Sequence, residues 1–170
     1  MHIMKNKTFA VWLTFFGGPL GLHRFYLIGF HDLLGWLCVI PSALGWYGIQ
    51  RALALGQDDP TSWVLIPMLG FTIAGCALNA IVYGLMPIEK WNAKFNADQA
   101  PTCASGQTNW FTILGVATAL LMGTTVLMAS IVFSIQRYFE NQIEEARAIS
   151  QNLEPVIDKS VEQSQNSGKP

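Results

Sequence analysis

The chain has 170 residues, 51% of them hydrophobic and only 12% charged, with 10 Lys and Arg against 11 Asp and Glu and a formal net charge of -1. Soluble domains carry about 25% charged residues, so the composition excludes an ordinary soluble domain, and the even charge balance excludes a basic nucleic-acid binder. The scattered cysteines Cys38, Cys76 and Cys103 exclude a disulfide-stapled scaffold. An integral membrane protein remains, with the lipid bilayer as its first partner.

Gaps between charges delimit the elements. The first gap lies between Lys7 and Arg24, and its stretch from Thr8 to Leu22 has 15 residues. As a helix it would extend about 22 Å, short of a hydrocarbon core of about 30 Å. It also contains Gly17-Gly18-Pro19-Leu20-Gly21. Pro19 cannot donate to the Phe15 carbonyl, and its ring clashes there. The spacing predicts a helix over 8–30, broken at 17–21, with Arg24 near a membrane boundary or in a polar pocket. Lys5, Lys7 and the apolar Phe9–Phe16 run have the look of a signal peptide. No A-x-A site follows, so an uncleaved anchor is expected. The second gap, 33–50, is just long enough to span.

The third gap predicts a helix over 60–86. Asp59 before Pro60 reads as an N-cap followed by proline at the first helical position, and Asp58 and Asp59 suit the positive end of the helix dipole. Met86-Pro87 closes it, and 87–109 reads as a polar loop. The fourth and longest apolar run predicts a helix over 110–135. Trp63, Trp91 and Trp110 fall near span ends, where indole rings favour the interface. Beyond it, Ile135, Phe139, Ile143, Ala146, Ile149, Leu153 and Ile157 recur at spacings of three and four, one apolar helical face. A helical tail is expected over 136–157, continuing the last span to about Leu153 before Pro155. The polar residues 158–170 are expected to be disordered.

The fold expected is all-α: a polytopic membrane protein with four transmembrane helices. The first is broken at Gly17–Gly21 and the last extends into the tail. Residues 1–51 form one helix pair and 60–135 a second.

Among candidate site residues, Arg24 stands out, because an ionisable side chain at membrane depth is costly. Asp32, eight residues on, can share its helix face and is the obvious counter-charge. His23 and His31 lack a third strong ligand nearby, so no metal is expected. Gly17-Gly18-Pro19-Leu20-Gly21 lacks the Gly-Lys-Ser/Thr end of a phosphate loop and reads as a helix break. Gly115, Ala119 and Gly123 form a small-residue ladder suited to close helix packing in lipid, with Gly70 and Ala74 a shorter one. Asn79 lies within the third span, where an amide needs a partner, and reads as a helix contact. Nothing resembles a catalytic constellation. The expectation is therefore no enzyme and no cofactor.

Lys5 to Trp36 reads KNKTFAVWLTFFGGPLGLHRFYLIGFHDLLGW. A basic residue before the first span, the Gly-rich Gly17–Gly21, then His23-Arg24-Phe25-Tyr26-Leu27 and Gly29 resemble the TM-two domain family. That family consists of small membrane proteins built on a pair of transmembrane helices. The resemblance covers residues 5 to about 50. Its His-Arg-Phe-Tyr run is the bacterial-looking counterpart of the Asp-Arg-Phe signature of eukaryotic members. Many members end the second span with an aspartate after an Ile-Trp pair; here the chain reads Trp46-Tyr47-Gly48-Ile49-Gln50-Arg51. The resemblance implies a membrane helix pair and an interaction or signalling role; His23, Arg24, Phe25, Tyr26 and Asp32 are the motif and interaction candidates, and the bacterial inner membrane is the location expected. It implies no reaction.

The functional expectation is a structural or protein-interaction role, with a membrane-protein partner or self-association and no nucleic acid. A small oligomeric channel or transporter is the alternative, with Arg24 and Asn79 lining a polar path. An enzyme acting on lipid, with Arg24 on a headgroup, is a third reading. Four spans place both termini on one side. Lys5, Lys7, Arg51, Arg137 and Arg147 on that side, against Arg24, Lys90 and Lys94, make it the cytoplasm.

Overall fold

A computed structural model describes residues 4–56 and 59–167. The described residues are helical and contain no strand: α1 (Lys7–Gly17), α2 (Leu22–Leu27), α3 (Leu33–Leu55), α4 (Pro60–Leu85), α5 (Ile88–Phe95), a 3-10 turn (Ala104–Gly106) and α6 (Trp110–Ser167). The chain divides into two compact units, Met1–Phe133 and Ser134–Pro170.

In the first unit, three helices are long and apolar enough to cross a membrane: α3, α4 and the apolar part of α6. The expected fourth span does not take that form. Helix α1 has 11 residues, about 16 Å. After the turn at Gly18–Gly21 the chain reverses instead of continuing. The side chain of Lys5 donates from Nζ to the carbonyl of Leu27, the last residue of α2. The backbone N–H of Asn6 donates to the Tyr26 hydroxyl at 3.0 Å. Both ends of the α1–α2 hairpin therefore lie together. The break at Gly17–Gly21 is where the chain turns back, not a kink within a spanning helix.

The turn leaves few polar backbone groups open. Leu20 N–H donates to Gly17 O at 3.2 Å and Gly21 N–H to Gly18 O at 2.8 Å. The Ser42 hydroxyl of α3 donates to Pro19 O at 2.7 Å. This matters because hydrocarbon offers no hydrogen bonds and non-helical backbone persists at depth only when protein satisfies it. Pro41 sits inside α3, and Ser42 also donates to Cys38 O at 2.9 Å in the turn that proline disturbs.

Helix α4 is central. It runs antiparallel to α3, where close approach depends on glycine: a Cβ at Gly48 would come within 2.5 Å of Leu65 Cβ. It runs antiparallel to α1, with Gly18 against Cys76 at one end and Lys7 bonded to Met86 O at the other. The apolar part of α6 returns along α4, with Gly123 against Ala77 and Gly70 against Ser130. Leu27, Ala77, Ala80, Tyr83, Trp91 and Ala119 belong to the core, while Leu33, Leu53 and Phe30 are among the exposed large side chains. Glycine and alanine at the helix contacts and many large apolar side chains outside suit a bundle that packs in lipid, where hydrophobicity does not drive association.

One end of the bundle gathers Lys7, Leu27, Met86 and Trp110. The other holds Leu55, at the end of α3, and Pro60, at the start of α4. At that second end Asp59 caps α4, accepting from the Ser62 N–H at 3.0 Å, as the Asp-Pro pair implies. It also accepts from Arg51 Nε at 2.7 Å and Nη2 at 3.1 Å. Arg51, then Ser62, hold the Asp59 carboxyl down at a pKa of about 2, against an ordinary value of about 3.9. A depressed carboxyl stabilises the fold above the ordinary value, and that stabilisation fades as pH falls toward the folded value. Wild-type and Asp59→Asn protein should therefore differ in thermal melting at pH 5, and the difference should close between about pH 4 and 2. A difference that stays constant over that range would contradict the assignment.

The second unit, described by itself, continues as helix. Arg137 Nη1 pairs with Glu140 at 2.8 Å, and Phe139, Ile143, Ile149 and Leu153 are exposed. The helix runs through Pro155 to Ser167, past the expected limits of Leu153 and 157 and into the stretch expected to be disordered. No glycine or further proline occurs between Val156 and Ser167, so nothing there breaks a helix once it has passed Pro155. The remainder of that stretch, 168–170, lies outside the described residues.

Candidate functional site

The mouth of the α1–α2 hairpin brings together most of the residues singled out from sequence. Arg24, on α2, pairs through Nε with the carboxylate of Asp32, which precedes α3. The pair is well covered, with side chains 21% and 13% exposed. The Arg24 guanidinium holds the Asp32 carboxyl below the usual carboxylate range. Phe25 stacks on Phe30 with centroids 5.2 Å apart and tilts against Trp36 at 5.4 Å. Its ring fits because residue 35 is glycine: a Cβ there would come within 2.6 Å of the ring. Tyr26 bonds Asn6 and meets the Phe9 ring edge-on at 5.1 Å.

The two histidines part company. His31 is exposed. His23 is fully buried, with its ring centroid 6.3 Å from that of Tyr83 on α4. Among the described residues neither His23 ring nitrogen has a hydrogen-bond partner.

The helix-break residues lie deeper. Gly17 leaves room for Leu22, and Gly18 lies on Cys76. Gly21 has φ +70° and faces the Gly35 carbonyl. The α6 ladder is used inside the chain. Gly115 faces Val11 and Trp12 of α1, Ala119 is fully buried, and Gly123 faces Ala77.

A second polar assembly was not expected from the sequence. Residues 87–109, read as a loop, build a folded cap around α5. Lys5 donates its backbone N–H to Asn96 Oδ1 at 2.9 Å. Its carbonyl accepts from Trp91 Nε1 and Asn96 Nδ2, each at 3.1 Å. Asn92 Nδ2 donates to Pro101 O at 2.8 Å and Cys103 O at 3.0 Å. Trp91 is therefore a fully buried core residue and not an interface anchor. Lys7 is also fully buried; its Nζ donates to Met86 O and to Thr108 Oγ1, the latter at 2.7 Å. The available signal was Trp91-Asn92 with Asn96 one turn on, a polar helix face that needs partners.

At Cys103 the thiol is held below its ordinary range by the Ser105 backbone N–H and hydroxyl. No group of three His, Cys, Asp or Glu suited to a metal occurs among the described residues.

The all-helical fold and its three apolar helices mark the chain as an α-helical membrane protein. No family model, no curated protein and no solved structure matches it.

Proposed function

We propose that the protein is a structural or protein-interaction component of the bacterial inner membrane, with three crossing helices and a re-entrant hairpin. The observation that carries this reading is the closed hairpin. Its turn carbonyl Pro19 O is taken by Ser42, its mouth is held by Lys5 and by the Arg24–Asp32 pair, and its ends meet a folded cap. These polar groups serve packing, which supports a scaffold over a channel. The exposed face of α5, with Lys90, Ala93 and Lys94, is the surface such a scaffold offers outside the bilayer. The resemblance of residues 5–50 to the TM-two domain family belongs to the same reading, with the family's helix pair taking the form of a hairpin followed by α3.

In this reading three crossings stand in place of the expected four, and the two termini lie on opposite sides instead of both in the cytoplasm. The bundle end that holds the N-terminus carries Lys5, Lys7, Arg24, Lys90 and Lys94. The end near Phe133 carries Arg51, followed in sequence by Arg137 and Arg147. The richer side is the cytoplasm, so the N-terminus and the cap face it and the chain beyond Phe133 leaves on the other side. In a variant without native cysteines, a periplasmic thiol reagent should label Ser150→Cys and spare Ala93→Cys. Labelling of neither or of both would sink the three-crossing arrangement. The role is tested by photo-crosslinking from α5 in native membranes. A defined partner supports it, whereas solute flux through liposomes holding the purified protein would favour a channel.

A further inference from the structure

Exposed positions on α4 fall on one stripe. Phe71, Gly75, Leu78, Asn79 and Val82 recur every three to four residues, and all are exposed. Asn79 is the polar member. It lies six residues before Leu85, about 9 Å along the helix from its end, and so within the hydrocarbon if α4 crosses. Two other polar side chains of α4 are occupied: Thr72 Oγ1 donates to Met68 O at 2.7 Å, and Ser62 Oγ donates to Asp59 at 2.7 Å. The Asn79 amide makes no hydrogen bond among the described residues, and Phe71, Gly75 and Leu78 of the stripe border a groove against Ala119 and Gly123 of α6.

An amide left without a partner in an apolar medium is costly. Lipid tails cannot relieve that; another polypeptide can. Gly75, one turn earlier on the same stripe, opens the way for a close approach: a Cβ there would meet nothing within 4 Å.

We propose that this face of α4 is a self-association surface, on which two copies of the chain meet about a twofold axis with Asn79 against the partner's Asn79. The proposal rests on the reading of α4 as a membrane-crossing helix. The amide decides the occupant. It carries both an N–H donor and a carbonyl acceptor, so across a twofold axis each side chain donates to the other and both are satisfied. An isologous interface supplies the matching group at the matching depth by symmetry. An unrelated helix would have to carry its own polar residue at that level. Gly75 lets the backbones approach, and Phe71, Leu78 and Val82 pack around the amide pair.

The test is the oligomeric state of the full chain in liposomes, read by single-molecule photobleaching over a range of protein-to-lipid ratios. Wild type should be dimeric at the higher ratios. Asn79→Leu should weaken dimerisation about tenfold, and Asn79→Gln should retain most of it. Gly75→Leu should weaken it by holding the helices apart. These positions are exposed in the monomer, so helix content and thermal unfolding of the variants should match wild type. A wild-type chain that stays monomeric at every ratio, or an Asn79→Leu chain that dimerises as well as wild type, would overturn the proposal. A monomer that still crosslinks to another protein through α5 would overturn it and leave the scaffold role standing. A chain released from membranes by alkaline carbonate would instead remove the crossing helix on which the proposal rests.

Discussion

Replacing Lys7 by methionine should lower the stability of the protein by about 2 kcal/mol, the order expected when hydrogen bonds from a charged donor are lost. The stem of the side chain is retained, so packing changes little. What disappears is the ammonium that joins three separate parts of the chain: the start of α1, Met86 after α4, and Thr108 before α6. Met86 O sits where a helix has just ended, and carbonyls there carry the negative end of the helix dipole. Unfolding in detergent, followed by circular dichroism, measures the loss. An unchanged midpoint would show that the buried lysine contributes nothing net, as happens when desolvation offsets bonding.

Gly21→Val should be more damaging still, by about 2–5 kcal/mol, from two separate causes. The residue has φ +70°, a conformation that costs an L-residue roughly 1–2 kcal/mol and suits β-branched residues least. A side chain would also be driven into the Gly35 carbonyl at the start of α3, and overpacking of this kind costs about 1–3 kcal/mol. Gly21→Ala carries the same faults with less bulk and should fall between wild type and Gly21→Val. If the valine variant unfolds at the wild-type midpoint, the hairpin does not turn at Gly21 as described.

Much of the helical order was legible in the sequence. Helices α3, α4 and the apolar part of α6 appear as charge-free runs, and Asp59-Pro60 marked the start of α4 with its cap. The direction of the chain after Gly17–Gly21 was not legible. A Gly-Pro-Gly cluster shows that a helix must be interrupted, but whether the next residues go on or turn back depends on distant partners. Here those partners are the Leu27 carbonyl for Lys5 and the Pro19 carbonyl for Ser42. The site was partly legible for the same reason. The Arg24–Asp32 pair follows from charge but not from the eight-residue spacing, because α2 ends at Leu27 and Asp32 sits at the N-cap of α3, so the two share no helix face. The burial of His23 under Tyr83 and the Asn92–Asn96 cap depend on contacts between segments, which composition does not reveal. Pro155 read as a stop, yet the helix passes it.

Timing during synthesis follows from the lysine at the mouth of the hairpin. Lys7 and Thr108 are 101 positions apart. At a synthesis rate of about 5–20 residues per second, the amino-terminal segment waits roughly 5–20 s before its last partner leaves the ribosome. Until then α1 and α2 have α3 and, once it has been made, α4 to lie against, but not α6. The short hairpin cannot anchor itself by length, so α3 is the first segment able to commit the nascent chain to the bilayer. The first segment made is thus among the last to be locked. A nascent chain stalled before residue 108 would carry that segment without its tie to Thr108 and without α6 beside it, within reach of chaperones and proteases on its own side of the membrane.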